Sequence, residues 1–329
     1  MFTRVAEWPN ALVCKTSQPR VRIPPRVPMK ENMTNRTKSV EMTREASRLC
    51  QRLFPQWSKP PFMGELQNII LLGQDKGLDE LHMSKAGMWW LWVRNLAIEN
   101  TLTREAKTTL WQTAISTSPD NPVNIVTTRS PELLHAIIGK GDLSLPRSRS
   151  ALQKISGISS NSNQFLPTKV TVIFADLAID NFEAIKSACN IDQKIEENIQ
   201  TLHDIIVSLD IVNIRIVKLS ELFDPPKAPH PPISIDGWKK IEIAHKGSFE
   251  SQQRKFGWSE ERARQHNTHL AITMGLAGQA IKQTIPHAIM IHNEAFIERG
   301  ALNNLFTPPN DPLPVICLND LLKNKKAKL

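Results

Sequence analysis

The octapeptide KVTVIFAD, residues 169–176, constrains the fold more than any other part of the sequence. Its apolar run from Val170 to Ala175 is nearly continuous, as expected for a β-strand that is covered on both faces. Residues 191–209 follow, with apolar side chains at helical spacing, and VNIRIVKLS (212–220) is a second candidate strand. The order strand, helix, strand predicts a βαβ unit with parallel strands and a right-handed crossover.

Three further apolar segments extend this pattern. They are PVNIVTT (122–128) before the unit, and HAIMI (287–291) and LPVICL (313–318) after it. Helices are predicted between the strands in SPELLHAIIGKG (130–141), in residues 259–283 and in AFIERGALNNLF (295–306), whereas Ser-rich residues 145–166 predict a surface excursion with one short helix and Pro-rich residues 224–236 a loop. The sequence therefore predicts an α/β fold with a Rossmann-like, open, mostly parallel sheet of about five strands and flanking helices.

A helical region is predicted ahead of the sheet, at residues 42–116, packed on an α/β domain of residues 117–322. In MWWLWVRNLAIEN, Trp89, Trp90 and Trp92 belong to a segment that is apolar all round. Such a helix is typical of a protein interior. A base-stacking platform for RNA is the alternative interpretation.

The long helix of residues 259–283 carries an N-cap signal and two interior glycines. Ser259 followed by two glutamates is typical of a helix start. Gly275 and Gly278 each cost about 1 kcal/mol relative to alanine in a helix interior. We expect close packing of this helix against a strand to compensate.

The ends of the chain are expected to lie outside the fold. Residues 1–41 are interpreted as a leader and residues 323–329 as a basic tail. EWPNALVCKTSQPRVRIPPRVP resembles the conceptual translation of a tRNA gene, because Val21-Arg22-Ile23 can be encoded by a T-arm sequence. Translation would then start at Met29, Met33 or Met42. A basic leader is the alternative.

The formal charge of +9 is concentrated in these ends. Residues 1–28 and 323–329 each carry +4, which leaves +1 for the rest of the chain. A nearly neutral body gives little reason to expect a strong phosphate-binding field. Binding of RNA through the tails and the tryptophans stays an alternative.

Polar residues follow every predicted strand, and the carboxyl ends of parallel strands meet at one edge of a sheet, where ligands bind in α/β folds. Helix capping alone explains Ser220-Glu221 and Asn319-Asp320. Asp176, directly after six apolar residues, is expected to be partly buried with a partner. His292-Asn293-Glu294 is the leading candidate, because three adjacent polar or titratable side chains exceed the needs of a cap.

These patterns define the predicted site. The predicted catalytic residues are Asp176, His292 and Glu294, and Ser130 follows the first strand at the same edge. The predicted substrate-binding residues are Thr128, Arg129, Asn181, Arg262, His266, Asn293 and Arg299. Arg262 and His266 lie near one face of the long helix, where a solvated face is the alternative.

Several mechanisms lack their sequence signals. There is no GxGxxG, no GxxxxGK[ST] and no GxSxG motif, so no cofactor can be named. The four cysteines are scattered without a CxxC pair, which predicts no metal site and a reducing cytoplasm. No apolar run approaches the ~20 residues of a membrane span, so no membrane partner is expected. Without tyrosine, no phenol takes part in catalysis.

The order of a strand with TTRS, a strand with FAD and Asn181, a long helix and a polar strand end is similar to the Rossmann-type core of tRNA-dependent cyclodipeptide synthases. This resemblance covers residues 120–320 and implies a serine nucleophile at Ser130 or Thr128. The active-site tyrosines of that family have no counterpart here.

Three functions therefore stay open. The first is a cytoplasmic transferase that acts on a nucleotide-activated or aminoacylated small-molecule substrate, with tRNA as a further partner. The second is a non-catalytic module that binds a small molecule or a protein, and the third is an RNA-binding factor.

Overall fold

A computed structural model describes most of the chain. The described residues are 33–57, 59, 62–97, 102–129, 145–174, 176, 191–211, 213–222, 230–245, 250, 253–254, 257–292 and 300–317. Two units are distinguished, Met1–Glu41 and Met42–Leu329, and the described residues 33–41 of the first are helical. The predicted helix 130–141, the leader 1–28 and the tail 323–329 lie outside the described residues.

Helices and strands alternate after four N-terminal helices, as expected. The elements are α1 Met33–Leu53, α2 Phe62–Asp75, α3 Glu80–Leu96, α4 Arg104–Ser116, β1 Val123–Arg129, α5 Leu145–Asn163, β2 Thr168–Phe174, α6 Ile191–Ser208, β3 Ile214–Lys218, α7 Leu219–Leu222, α8 Ile235–His245, α9 Glu260–Thr284, β4 Ala288–His292 and β5 Val315–Cys317, with 3-10 helices η1 Pro55–Trp57 and η2 Ala301–Asn304. No helix in the described part of the chain is both long and apolar enough to cross a bilayer.

The five strands form one sheet in the order β3-β2-β1-β4-β5, and all four pairings are parallel. The prediction of an open parallel α/β sheet is confirmed. Val126 of β1 lies between Thr171 of β2 and Met290 of β4. The sheet is thus centred on β1, with the βαβ unit on one side and the two last strands on the other.

Both faces of the sheet are buried, because alternate residues of each strand pack on different helices. Ile125 and Val172 belong to a core shared with the N-terminal helices and with α5 and α6. Val126 and Met290 belong to a separate core shared with α9. Burial on both faces explains the continuous apolar run that identified β2.

The tryptophan-rich segment is a buried helix. Trp89 and Trp90 of α3 are 1% and 0% exposed. The indole Nε1 of Trp89 donates to Ser162 Oγ at 2.9 Å, and the rings of Trp90 and Trp111 meet edge to face at 5.9 Å. The base-stacking interpretation is wrong for Trp89 and Trp90, because neither ring is accessible.

The Ser-rich segment is not a surface excursion. Residues 145–163 form the long helix α5, and Leu152, Ile155 and Ile158 enter the main core. Their spacing of three residues gives α5 an apolar stripe that faces the sheet. The abundance of serine concealed this stripe, since small hydroxyl side chains are also accommodated at helix contacts, as Ser162 shows by bonding both Trp89 and Thr168.

Helix α9 begins as predicted, since Ser259 Oγ accepts a hydrogen bond from Arg262 N at 3.2 Å. Its glycines do pack closely, but against η2 rather than a strand. A Cβ on Gly278 would lie 2.7 Å from the carbonyl carbon of Asn303, and one on Gly275 would lie 2.9 Å from Leu305 Cβ. The closest packing on the outer side of α9 is therefore against a turn of the chain.

Two further boundaries differ from expectation. Helix α8 begins at Ile235, inside the predicted loop 224–236. Within the predicted helix 295–306, residues 301–304 form only the short 3-10 helix η2. Asn304 Oδ1 accepts hydrogen bonds from Thr307 Oγ1 at 2.7 Å and Leu313 N at 2.8 Å. These bonds hold the chain in a turn that leads to β5.

Candidate functional site at the carboxyl ends of the strands

The connections on the two sides of β1 lie on opposite faces of the sheet. Helix α5, between β1 and β2, packs on the face with Ile125. Helix α9, which leads into β4, packs through Ala277 and Ile281 on the face with Val126. Along the chain, β2 and β3 are therefore added on one side of β1, and β4 and β5 are added on its other side. In open α/β sheets such a switch point leaves a crevice outside the carboxyl ends of the strands.

Two predicted site residues lie at the carboxyl ends of the strands that flank this switch point. The pairing of β1 with β4 runs to Val126 and Met290, and Thr128 and His292 each come two residues later in their strands. His292 is also the last residue of β4 and pairs with Cys317 of β5. Arg129 is the last residue of β1. Thr128, Arg129 and His292 therefore lie at the carboxyl ends of two neighbouring strands, and their roles in a site stay predictions.

Asp176 has the partner that its burial requires. The residue is 8% exposed, and its carboxylate accepts two hydrogen bonds from Ser220: Oδ1 from the backbone N at 3.0 Å, and Oδ2 from the hydroxyl. A hydrogen-bonded carboxylate avoids most of the cost of losing water. The pair joins the end of β2 to the start of α7, directly after β3.

Asp176 and His292 follow strands that are not neighbours in the sheet. Strand β1 separates β2 from β4, so the two backbones are about 10 Å apart at the usual strand spacing. Both oxygens of Asp176 bond a residue on the β3 side. Capping was the predicted role of Ser220, and no sequence pattern indicated that Asp176 was its partner. The pairing depends on β2 and β3 being neighbours.

The end of β3 carries a local excess of acidic groups. The ammonium group of Lys218 hydrogen-bonds the Glu196 carboxylate. This hydrogen bond raises the pKa of Lys218, and the negative charges of Glu196, Asp176 and Glu221 raise it further.

Arg262 and His266 are arranged around one indole. The guanidinium carbon of Arg262 lies 5.0 Å from the ring centroid of Trp258, and the His266 ring meets that indole edge to face at 5.0 Å. Helix α9 has 25 residues and ends just before β4, which has five. Helix α9 is therefore about 37 Å long, whereas β4 is about 17 Å long. Because the helix is longer, its N-terminal part extends beyond the carboxyl ends of the strands.

The other predicted site residues are Ser130, Asn181, Asn293, Glu294 and Arg299, and all five lie outside the described residues. Their roles stay predictions. Among the described residues, no group of three or more His, Cys, Asp or Glu side chains could hold a metal ion.

Comparison with known proteins gives only a weak likeness at the level of the fold. No protein-family model and no curated protein matches the sequence. Among solved structures, the chain is similar to a cyclodipeptide synthase (CDPS) from Fluoribacter dumoffii, at 10% identity over 61% of this chain and 91% of that one. The TM-score is 0.33, so this is a weak resemblance at the level of the fold.

Proposed function

We propose that the chain is a group-transfer enzyme acting on a nucleotide-activated or aminoacylated substrate at the switch point between β1 and β4. The observation that supports this most is the strand order, with its connections on opposite faces beside β1. Ligands of α/β folds bind at such a point, and Thr128 and His292 belong to the carboxyl ends of these two strands.

The residue types suit acyl transfer. In this proposal Ser130 attacks the activated acyl carbon, and its proton passes to His292 and then to the leaving oxygen, so that an acyl-serine forms. An imidazole titrates near neutral pH and can both take and return this proton. Glu294 orients His292 or binds the substrate amine.

The remaining predicted residues would bind substrate or support the site. Thr128, Arg129, Asn181, Asn293 and Arg299 would hold its polar and anionic groups. Asp176 is proposed to position the β2 and β3 ends through Ser220, since both its oxygens are already hydrogen-bonded to that residue.

The test uses two donors with a labelled amino acid, an aminoacyl-tRNA and an aminoacyl-adenylate. We expect enzyme-dependent loss of the donor, and His292→Gln should slow it by about 10²-fold or more, as for other general acid–base residues. His203→Gln is the matched control, because His203 is exposed on α6. Ser130→Ala should abolish the labelled acyl-protein that trapping with acid reveals.

The outcomes separate this proposal from its alternatives. If wild type binds either donor saturably but never consumes it, the module that binds without catalysis is supported instead. Equal loss of rate in His203→Gln and His292→Gln would show that the assigned site is wrong. RNA binding by the tails alone would disappear on deletion of residues 1–28 and 323–329, with donor turnover unchanged.

A further inference from the structure

A cavity of about 400 Å³ lies at the opposite edge of the sheet, beside the first residue of β4. This volume is within the range of small-molecule sites. The apolar wall includes Leu72, Ile115 and Ile285. The ionisable and hydroxyl groups of its lining are Lys76, Thr109, Thr113, Ser116, Lys282, His287 and Asp311.

Two lysines reach this cavity from different helices. Lys76 Nζ donates to Ser116 Oγ at 2.6 Å, and Lys282 Nζ lies 2.7 Å from Asp311 Oδ1. Each lysine stands at the end of a helix, where cations often cap carbonyl groups. Here, however, each ammonium group donates a hydrogen bond to a side chain. Both charges are therefore held at the cavity wall rather than used as caps.

The positive charge of the lining exceeds its negative charge. Asp311 pairs with Lys282, whereas Lys76 has no carboxylate partner among the described residues. A surface ion pair such as Lys282–Asp311 is weak, since its side chains are 23% and 54% exposed. An anion can therefore compete with Asp311 for Lys282 at little cost.

The pKa of His287 responds to the charges of the lysines that line the cavity. Burial lowers the pKa of His287, and the ammonium groups of Lys76 and Lys282 lower it further, partly offset by hydrogen bonding to the backbone of Asn121. Both lysine charges thus act on one point. The ring adds no charge of its own at neutral pH, so the cations of the cavity are its lysines.

His287 is also held in place by its neighbours. Its φ of 52° lies in the left-handed region, which is unusual for a residue with a side chain. Asn124 N donates to His287 O at 3.2 Å, and Asn124 Nδ2 donates to Pro286 O at 2.7 Å. The ring Nε2 lies 3.3 Å from Asn121 Nδ2. This wall of the cavity is therefore formed before any ligand arrives, at the cost of backbone strain.

We propose that this cavity is a second binding site, which takes a small anionic molecule through a carboxylate or phosphate group placed between the Lys76 and Lys282 ammonium groups. The Ser116 hydroxyl accepts from Lys76 and keeps its own proton to donate to the anion. Leu72, Ile115 and Ile285 would contact the apolar part of the molecule. This site is separate from the proposed transfer site, which lies at the far ends of the same strands.

The experiment titrates the whole chain with inorganic phosphate and, separately, with succinate. Binding is followed by the NMR signals of the His287 ring, which are assigned by their loss in His287→Asn. We expect saturable shifts with a Kd near or below about 1 mM for at least one anion. Lys76→Gln and Lys282→Gln should each weaken binding at least tenfold. Lys85→Gln is the matched control, because Lys85 is an exposed lysine of α3 outside the lining.

Each result decides a part of the proposal. Binding of phosphate alone or of succinate alone identifies the anion class, and both are supporting outcomes. The proposal is overturned if neither anion shifts the His287 signals saturably, if Lys85→Gln weakens binding as much as Lys76→Gln, or if the double variant Lys76→Gln/Lys282→Gln binds like wild type. Because no step measures turnover, failure here leaves the transfer site untouched.

Discussion

The two edges of the sheet gather polar residues in different ways. At the carboxyl edge, Thr128 is the next-to-last residue of β1, His292 is the last residue of the neighbouring β4, and Asp176 comes two residues after the end of β2. At the amino edge, Lys76 directly follows α2 and Lys282 lies in the last turn of α9, more than 200 residues later, and only packing brings both to one cavity. A site made of residues at strand ends can be predicted from the sequence. A site made of residues at helix ends can be predicted only when the packing of the helices is known.

The edges also differ in burial. Asp176 is nearly inaccessible and bonded twice to Ser220, so its carboxylate contributes to stability. Asp311 and Lys282 are partly exposed and form a single ion pair. Groups that add little stability are free to exchange their partner for a ligand. Substitutions should therefore separate a stabilising edge from one that is available for binding.

Gly278→Ala should have the largest effect, because α9 spans both edges. The new Cβ would lie 2.7 Å from the carbonyl carbon of Asn303, and neither that backbone nor the helix can move without disturbing the core. We expect a loss of about 3 kcal/mol in the free energy of unfolding, measured with denaturant. The displaced helix should also alter anion binding at Lys282.

Gly157→Ala is the matched control for that substitution. Gly157 is an exposed residue inside α5, and a Cβ there has no atom within 4 Å. Alanine should therefore increase the free energy of unfolding, by up to about 1 kcal/mol. Equal stability of Gly278→Ala and wild type would show that α9 is not held by η2.

Asp176→Ala should have the next largest effect and should be confined to the carboxyl edge. It removes a buried carboxylate and leaves the Ser220 backbone N without its acceptor, at a cost of about 2 kcal/mol. Ser220→Ala keeps the backbone bond and should cost about 1 kcal/mol. In a double-mutant cycle by denaturant unfolding, the two changes should not add. Full additivity would contradict the coupling of the two residues.

Much of the sheet could be predicted because parallel strands are buried on both faces. Val170, Val172 and Ile173 are all inaccessible. Because a strand buried on both faces needs apolar side chains on both, β2 has a nearly continuous apolar run in the sequence. Helix α5 was misread because its stripe of Leu152, Ile155 and Ile158 is interrupted by serines that also face the interior. Composition therefore hid a periodicity that the packing makes plain.

The candidate site was predictable to a smaller extent. Position after a strand placed Thr128 and His292 correctly at one edge, since parallel strands end together. The partner of Asp176 could not be deduced, because it depends on the strand order. The lysines of the amino edge carried no signal at all. Their common cavity depends on the packing of α2, α4 and α9 side by side.

Lys282→Gln should have a small effect on stability, which sharpens the contrast with Asp176. The Lys282–Asp311 pair is partly exposed, so its loss should cost no more than about 0.5 kcal/mol. The same substitution should weaken anion binding at least tenfold. A loss of stability as large as that of Asp176→Ala would mean that the amino edge is structural after all.

His287→Asn should have the smallest effect at neutral pH and become visible only in acid. The folded protein lowers the pKa of His287 below its ordinary value of 6.5, so the unfolded chain binds its proton first as the pH falls. The stability due to the neutral ring is thus complete above pH 6.5 and is lost as the pH drops to the lowered pKa. Asparagine accepts the positive φ at this position and does not titrate.

Thermal unfolding between about pH 5 and 7.5 should therefore depend less steeply on pH in His287→Asn than in wild type. In His203→Gln, where the histidine is exposed on α6, the wild-type slope should persist. Identical slopes in His287→Asn and wild type would show that the amino edge does not hold a neutral ring beside its two lysines.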